Sequence, residues 1–444
     1  MTDNTLNLES NVRSYSRTIP TVFDSANGSW ILDQTGNKHL DFLSGCGSLN
    51  YGHNHPVLKS ALTSYMKRDG LCMSLDFQSI IRSKFLKQFN DAILKPRGLD
   101  YCLQFPGPTG ANCVEAAIKL ARKVTGRTNV IAFTNGFHGC SLGALSLTGS
   151  QHHRNTSIPL LNQVTRMPYQ GYMGDGIDTA EYLDKTLCDP SSGVDSPAAI
   201  IIETVQGEGG LQAASREWMQ SIVKIAHQHG ALLIIDDIQA GCGRTGNFFS
   251  FETLDVTPDM VCMAKSISGY GLPMSLLLIR PELDIWEPGE HNGTFRGNNF
   301  AFVTAIAALE TFWTLSDFKN KLQHLCTGIA KKTHELAETY GVTVKGRGAM
   351  IGLEFNEPNQ AKAVQQDCIR QGLIIELCGP HDEVLKFLPP LTISAEELDM
   401  GFQFIDQALK NQCSVQMEAV HSRIPLMKTA KGSSVARNRQ SPPP

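Results

Sequence analysis

Between about residues 56 and 311, short apolar runs alternate with stretches whose apolar positions recur every three or four residues. The runs at 129–134, 198–205, 231–236, 260–264 and 275–279 are almost uninterrupted, as strands are when both faces of their sheet are covered. Helical spacing appears between them at 112–124 and 216–229. Strand and helix in alternation imply crossover units, so this region, 56–311, predicts a large α/β domain with a mostly parallel, doubly wound sheet.

The flanks have another rhythm. Residues 29–33 and 38–43 flank the turn 34–37 and predict a hairpin. The small-residue stretch 45–53 fits a simple turn or the lining of a ligand site. From 312 to 415 the chain predicts helices early and late, with strands at 349–355, 373–376 and 384–388. This is a smaller α+β domain, to which 1–55 also contributes. Beyond 415 the periodicity fades and the chain ends Ser441-Pro442-Pro443-Pro444, so 416–444 reads as a disordered tail.

Composition narrows the classes. With 444 residues, 41% hydrophobic and 18% charged, the chain fits a soluble globular protein. The net charge of -4, from 39 basic and 43 acidic residues, leaves no basic surplus for nucleic acid. No apolar run is long enough for a membrane span, and the polar N-terminus lacks a signal core. The 12 cysteines form no Cys-x-x-Cys pair and the 13 histidines no His-Glu-x-x-His pattern. A reduced, cytoplasmic protein without a metal centre is the expectation.

Five constellations could carry chemistry. First, the apolar run at 260–264 ends in Lys265, followed at once by small residues. A lysine there either reaches back to solvent or presents an amine that can attack a carbonyl. Second, Pro106-Gly107-Pro108-Thr109-Gly110-Ala111 leads into a helix, which suits a phosphate site or a tight turn with an ordinary cap. Third, 231–235 delivers Asp236-Asp237-Ile238-Gln239; an acid at a buried strand end calls for a positive partner or caps the next turn. Fourth, Glu203 ends another strand and Glu208 follows on a glycine-rich loop, facing a substrate or only solvent. Fifth, Phe137-His138 follows 129–134, with Phe137 either core or stacked on a planar ring. Gly241-Cys242-Gly243-Arg244-Thr245-Gly246 matches a dinucleotide fingerprint, but no helix-forming stretch follows, so that reading is rejected.

A phosphate cradle, a stacking aromatic, an acid for a ring nitrogen and a reactive lysine are the parts pyridoxal 5′-phosphate needs. In this combination the chain resembles the class III pyridoxal-phosphate aminotransferases from Arg17 to Ala408. Its stretches at 13–17, 105–110, 136–141 and 289–299 are most similar to the diaminobutyrate aminotransferases of ectoine biosynthesis. The resemblance implies fold type I and transfer of an amino group from L-glutamate to L-aspartate 4-semialdehyde. It also implies that Lys265 holds the cofactor and moves the proton, Asp236 pairs with the ring nitrogen, and Gln239 contacts the ring hydroxyl. Phe137 would stack on the ring, and Gly110 and Ala111 would hold the phosphate. His138, Glu203 and Ile238 complete the cofactor set. Thr294 would reach the phosphate of a neighbouring subunit, which implies a homodimer or larger. Glu208 would gate between two amino donors. Two family arginines are replaced, by Cys140 and by Lys386, and a lysine cannot grip a carboxylate with two prongs. Both changes favour the diaminobutyrate subgroup.

Overall fold

The computed structural model describes residues 8–155, 161–314 and 316–423. Strands β1 (Phe23–Asn27), β2 (Trp30–Asp33) and β3 (Lys38–Asp41) form an antiparallel meander. The predicted turn at 34–37 is anchored by Asp33, whose carboxylate accepts from the backbone N–H of Thr35 and Asn37 at 2.8 and 3.0 Å.

The central sheet holds β4 (Cys102–Gln104), β5 (Val130–Phe133), β6 (Val164–Met167), β7 (Ala199–Ile202), β8 (Leu232–Asp236), β9 (Met260–Met263) and β10 (Leu276–Ile279). Their order is β4-β10-β9-β8-β7-β5-β6. Only β10 runs antiparallel to its neighbours, so the sheet is mixed. All five strands expected from the apolar runs are present. The two that the pattern does not announce, β4 and β6, lie at the edges and are only partly buried.

The uninterrupted runs have a direct cause. Alternate residues such as Ile131, Ile200, Leu233 and Val261 enter one core, with Trp218, Met219 and Ile222 of the helix Arg216–Gln228. Their neighbours Val130, Ala199, Ile234 and Met260 enter a second core, under Val114, Ala117 and Ile118 of the helix Gly110–Thr125. Period two with both faces covered leaves no polar position.

The C-terminal part contributes β11 (Thr343–Arg347), β12 (Met350–Glu354), β13 (Leu373–Ile374), β14 (Glu376–Cys378) and β15 (Val384–Phe387). The expected single strand at 373–376 is two: β13 pairs in parallel with β3, whereas β14 joins the sheet β11-β12-β15-β14. Leu40, Phe42 and Tyr51 share a core with Ile351, Leu353 and Phe387, so the N-terminal segment packs with the C-terminal block. The last helix, Ala395–Arg423, runs past 415, where the sequence reading ends ordered structure. No glycine or proline interrupts 402–424, and Pro425 follows two residues after the helix stops. The rest of the expected tail, 424–444, lies outside the described residues.

Candidate active site

Beyond the C-terminal ends of β7, β8 and β9, the connecting segments and the start of the helix Gly110–Thr125 enclose a cavity of about 380 Å³. That is where open α/β sheets place ligands. Gly110, Ala111, Phe137, His138, Glu203, Glu208, Asp236, Ile238, Gln239 and Lys265 all line it. The chain thus brings together residues spread over more than 150 positions.

Lys265 follows β9 and opens a one-turn 3-10 segment, Lys265–Ser268, with φ +50°. A left-handed conformation at a residue with a side chain costs on the order of 1–3 kcal/mol. The turn is held by Ser266, whose hydroxyl donates to Gly47 O at 2.8 Å and accepts from Asn50 N at 3.1 Å. The small-residue loop at 45–53 therefore buttresses the lysine turn, and Ser48 also lines the cavity.

Asp236 is buried at the end of β8, with Oδ2 2.7 Å from His138 Nδ1 and Oδ1 accepting from Ile238 N at 3.2 Å. Burial pulls the His138 imidazole down, but the Asp236 hydrogen bond and the charges of Asp236 and Glu203 outweigh it, leaving its pKa raised. Glu203 accepts from Phe137 N and Gly207 N, both at 3.0 Å, and so ties the aromatic turn to the glycine loop. Burial pushes its carboxyl up to about 7 against the His138 charge. Asp237 faces away from the cavity, accepts from Ser250 N, and is also driven by burial to about 7.

Raised folded values mean that both carboxyls favour the fold when protonated. That contribution is complete below about 4, where the unfolded groups titrate, and is lost as pH rises through about 7. The melting temperature of the cofactor-free protein should fall between about pH 5 and pH 8. Asp237→Asn should flatten that fall, and an unchanged slope would overturn the assignment.

Glu208 is half-buried, and its Oε1 receives both Lys386 Nζ at 3.0 Å and Gln239 Nε2 at 3.3 Å. Burial raises its pKa, but the Lys386 and Lys265 charges dominate and hold it at about 2. Lys386 itself is fully buried behind Glu208 and does not line the cavity. Thr294 is exposed and also stands apart from the cavity, while Cys140 is exposed beside the lining residue Gly139.

Sequence reasoning missed three members of this region. Glu376 Oε1 lies 3.0 Å from Lys386 Nζ, and Tyr15 Oη donates to Glu376 Oε2 at 3.1 Å and lies 2.7 Å from Cys46 Sγ. An acid within the apolar run 373–376 was the available signal for Glu376. Elsewhere, Asp184, Cys188 and His229 meet at the surface, where a 3.0 Å hydrogen bond between His229 and Asp184 accounts for the grouping.

The lining fits a phosphorylated pyridine. Gln239 Oε1 is buried and has no hydrogen-bond partner among the described residues, so an acceptor waits at the wall. The first amides of a helix have no intrahelical acceptor, and Thr109 and Asn112 cap this one while leaving Gly110 and Ala111 to face the cavity. A Cβ on Gly110 would stand 2.8 Å from Ile238 Cδ1, so a side chain there would push the Ile238 wall aside.

Comparison with known proteins agrees. A family model described as Aminotransferase class-III matches residues 12–409. Over 405 residues the chain is 52% identical to a diaminobutyrate--2-oxoglutarate transaminase of Vibrio parahaemolyticus, covering 90% of this chain and 96% of that one. It is likewise 52% identical over 408 residues to the enzyme of that name from Halalkalibacterium halodurans, covering 91% and 95%. Among solved structures, the ornithine aminotransferase from Toxoplasma gondii superposes with a TM-score of 0.78 at 25% identity, over 93% of this chain and 94% of that one. An S-selective transaminase from Bacillus megaterium shares the fold at TM-score 0.82 and 20% identity, over 92% and 97%.

Proposed function

Because the chain belongs to the class III aminotransferases, enzymes that depend on pyridoxal 5′-phosphate, we propose that it transfers the amino group of L-glutamate to L-aspartate 4-semialdehyde, giving L-2,4-diaminobutyrate and 2-oxoglutarate. What carries the reading is the 52% identity to diaminobutyrate transaminases over nine-tenths of the chain, joined to the cavity that gathers Lys265, Asp236 and Gln239. Ectoine formation is the downstream route we favour.

When bound, the cofactor supplies an electron sink for charge that develops on the amine-bearing carbon. Lys265 would hold it and, through Nζ, take the proton from that carbon. Asp236, fixed by His138, would keep the ring nitrogen protonated. Gln239 Oε1 would accept from the ring hydroxyl. The amides of Gly110 and Ala111 would bind the phosphate at the positive end of the helix dipole. Phe137 and Ile238 would supply apolar walls, and Glu203 holds the Phe137 turn in place. Purified protein should aminate the semialdehyde only when glutamate is present. A panel of ω-amines that reacts while diaminobutyrate does not would replace this substrate assignment.

A homodimer completes the site in this reading. The segments around Thr294 and 71–80 are joined through the bond from Ser74 N to Gly297 O at 2.9 Å. They expose the large apolar side chains Phe77 at 68%, Ile80 at 87% and Phe295 at 62%. A second copy seated there would bury these side chains and bring Thr294 towards the neighbouring phosphate. Light scattering should give twice the chain mass, and Phe77→Asp with Ile80→Asp should yield a monomer of low activity. A cytoplasmic enzyme suits the 12 free cysteines, and no helix among the described residues is long and apolar enough to cross a membrane.

A further inference from the structure

Glu376 and Lys386 sit directly opposite each other on β14 and β15, so the register of the sheet fixes their ion pair. An ammonium has three N–H donors. Lys386 donates to Glu208 Oε1 at 3.0 Å and Gly207 O at 3.1 Å, and its charge pairs with Glu376 Oε1 at 3.0 Å. With no exposed surface and its charge paired to two carboxylates, Lys386 cannot clamp a substrate carboxylate in this arrangement. The Tyr15 hydroxyl occupies the other oxygen of Glu376 and holds it behind the wall. Of the charged side chains in this group, only Glu208 lines the cavity.

The charge count then decides what the wall recognises. With Lys265 committed to holding the cofactor, two carboxylates share one remaining ammonium, so the cluster carries a net negative charge, and its cavity-lining member is Glu208. Resting on the diaminobutyrate reading, we propose that Glu376 is a positioning residue for specificity: by taking up the Lys386 charge it leaves Glu208 as an anionic acceptor for the non-reacting ammonium of the diamino substrate. The second glutamate keeps that carboxylate from being neutralised by the lysine. Here the cation stays covered and the acid is the recognition group.

L-2,4-diaminobutyrate and 4-aminobutyrate differ only by the α-ammonium, which makes them the probe pair. For the holoenzyme, kcat/KM should favour diaminobutyrate. Glu376→Gln should lower that preference about tenfold, the equivalent of about 1.4 kcal/mol, through KM for diaminobutyrate and with kcat little changed. Adding Lys386→Met to Glu376→Gln removes the whole pair, returns an uncompensated charge to Glu208 and should restore the preference. Glu208→Gln should lower it even where Glu376→Gln fails to fold. An unchanged ratio in Glu376→Gln, an equal loss on both amines, or no recovery in the double variant would each overturn the proposal. A wild-type protein that ignores diaminobutyrate would instead overturn the functional reading.

Discussion

Lys265→Ala should abolish amino transfer, by on the order of 10⁴-fold or more, and remove the visible band of the cofactor-loaded protein. A single proton-transfer group contributes about 10²–10⁴-fold, and here the same amine also secures the cofactor. The side chain is half-buried at the cavity wall, and its turn is anchored through the Ser266 hydroxyl to Gly47 and Asn50. Truncation should therefore spare the fold. Circular dichroism should match the wild type while turnover and the band are lost. Lys265→Arg should not rescue, because a guanidinium stays protonated and is a poor nucleophile. Residual turnover within tenfold of wild type would assign the chemistry to another group.

Arg244→Leu should produce the largest loss of stability, about 3–5 kcal/mol, as expected when buried partners of a charge are left unsatisfied. The guanidinium is fully buried. It donates to Asn50 Oδ1 from Nε at 3.2 Å and Nη2 at 2.5 Å, and from Nη1 to Pro389 O at 2.6 Å and Ala349 O at 3.3 Å. One side chain thus pins the N-terminal segment and two points of the C-terminal block to the central domain. Burial lowers its pKa to about 10, so it remains charged at neutrality. Thermal unfolding should move down by roughly 3–5 °C. Arg244→Lys should recover little, since one ammonium cannot span three widely placed acceptors. A shift under about 1 °C, on the scale of about 1 kcal/mol, would show that the clamp is dispensable.

Arg244 also shows how a pattern can be read rightly and still incompletely. The glycine spacing at 241–246 resembles a dinucleotide loop, and the absence of a following helix excludes that role. What the motif does instead is turn the chain tightly enough to aim Arg244 inward, with Gly243 at φ +94° and Gly246 at φ +98°. Nothing local to 241–246 names Asn50, Ala349 or Pro389 as partners. Glu376 was hidden for a similar reason: its meaning depends on lying opposite Lys386, a register set by the sheet.

By itself, the sequence determined the alternation of buried strands and covering helices, because period two and period 3.6 are local properties of a chain with one apolar face or two. It also determined the lysine, the acids and the capped glycine loop at the ends of those elements, because strand ends and helix starts are where side chains and free amides must meet something other than core. The tertiary structure alone decided the antiparallel course of β10, the division of 373–376 between two sheets, the withdrawal of Lys386 behind Glu208, and the distance of Thr294 from its own cavity. Each of these rests on a pairing between segments far apart in the chain. Local periodicity carries no record of which distant residue will supply the opposite charge or the next strand.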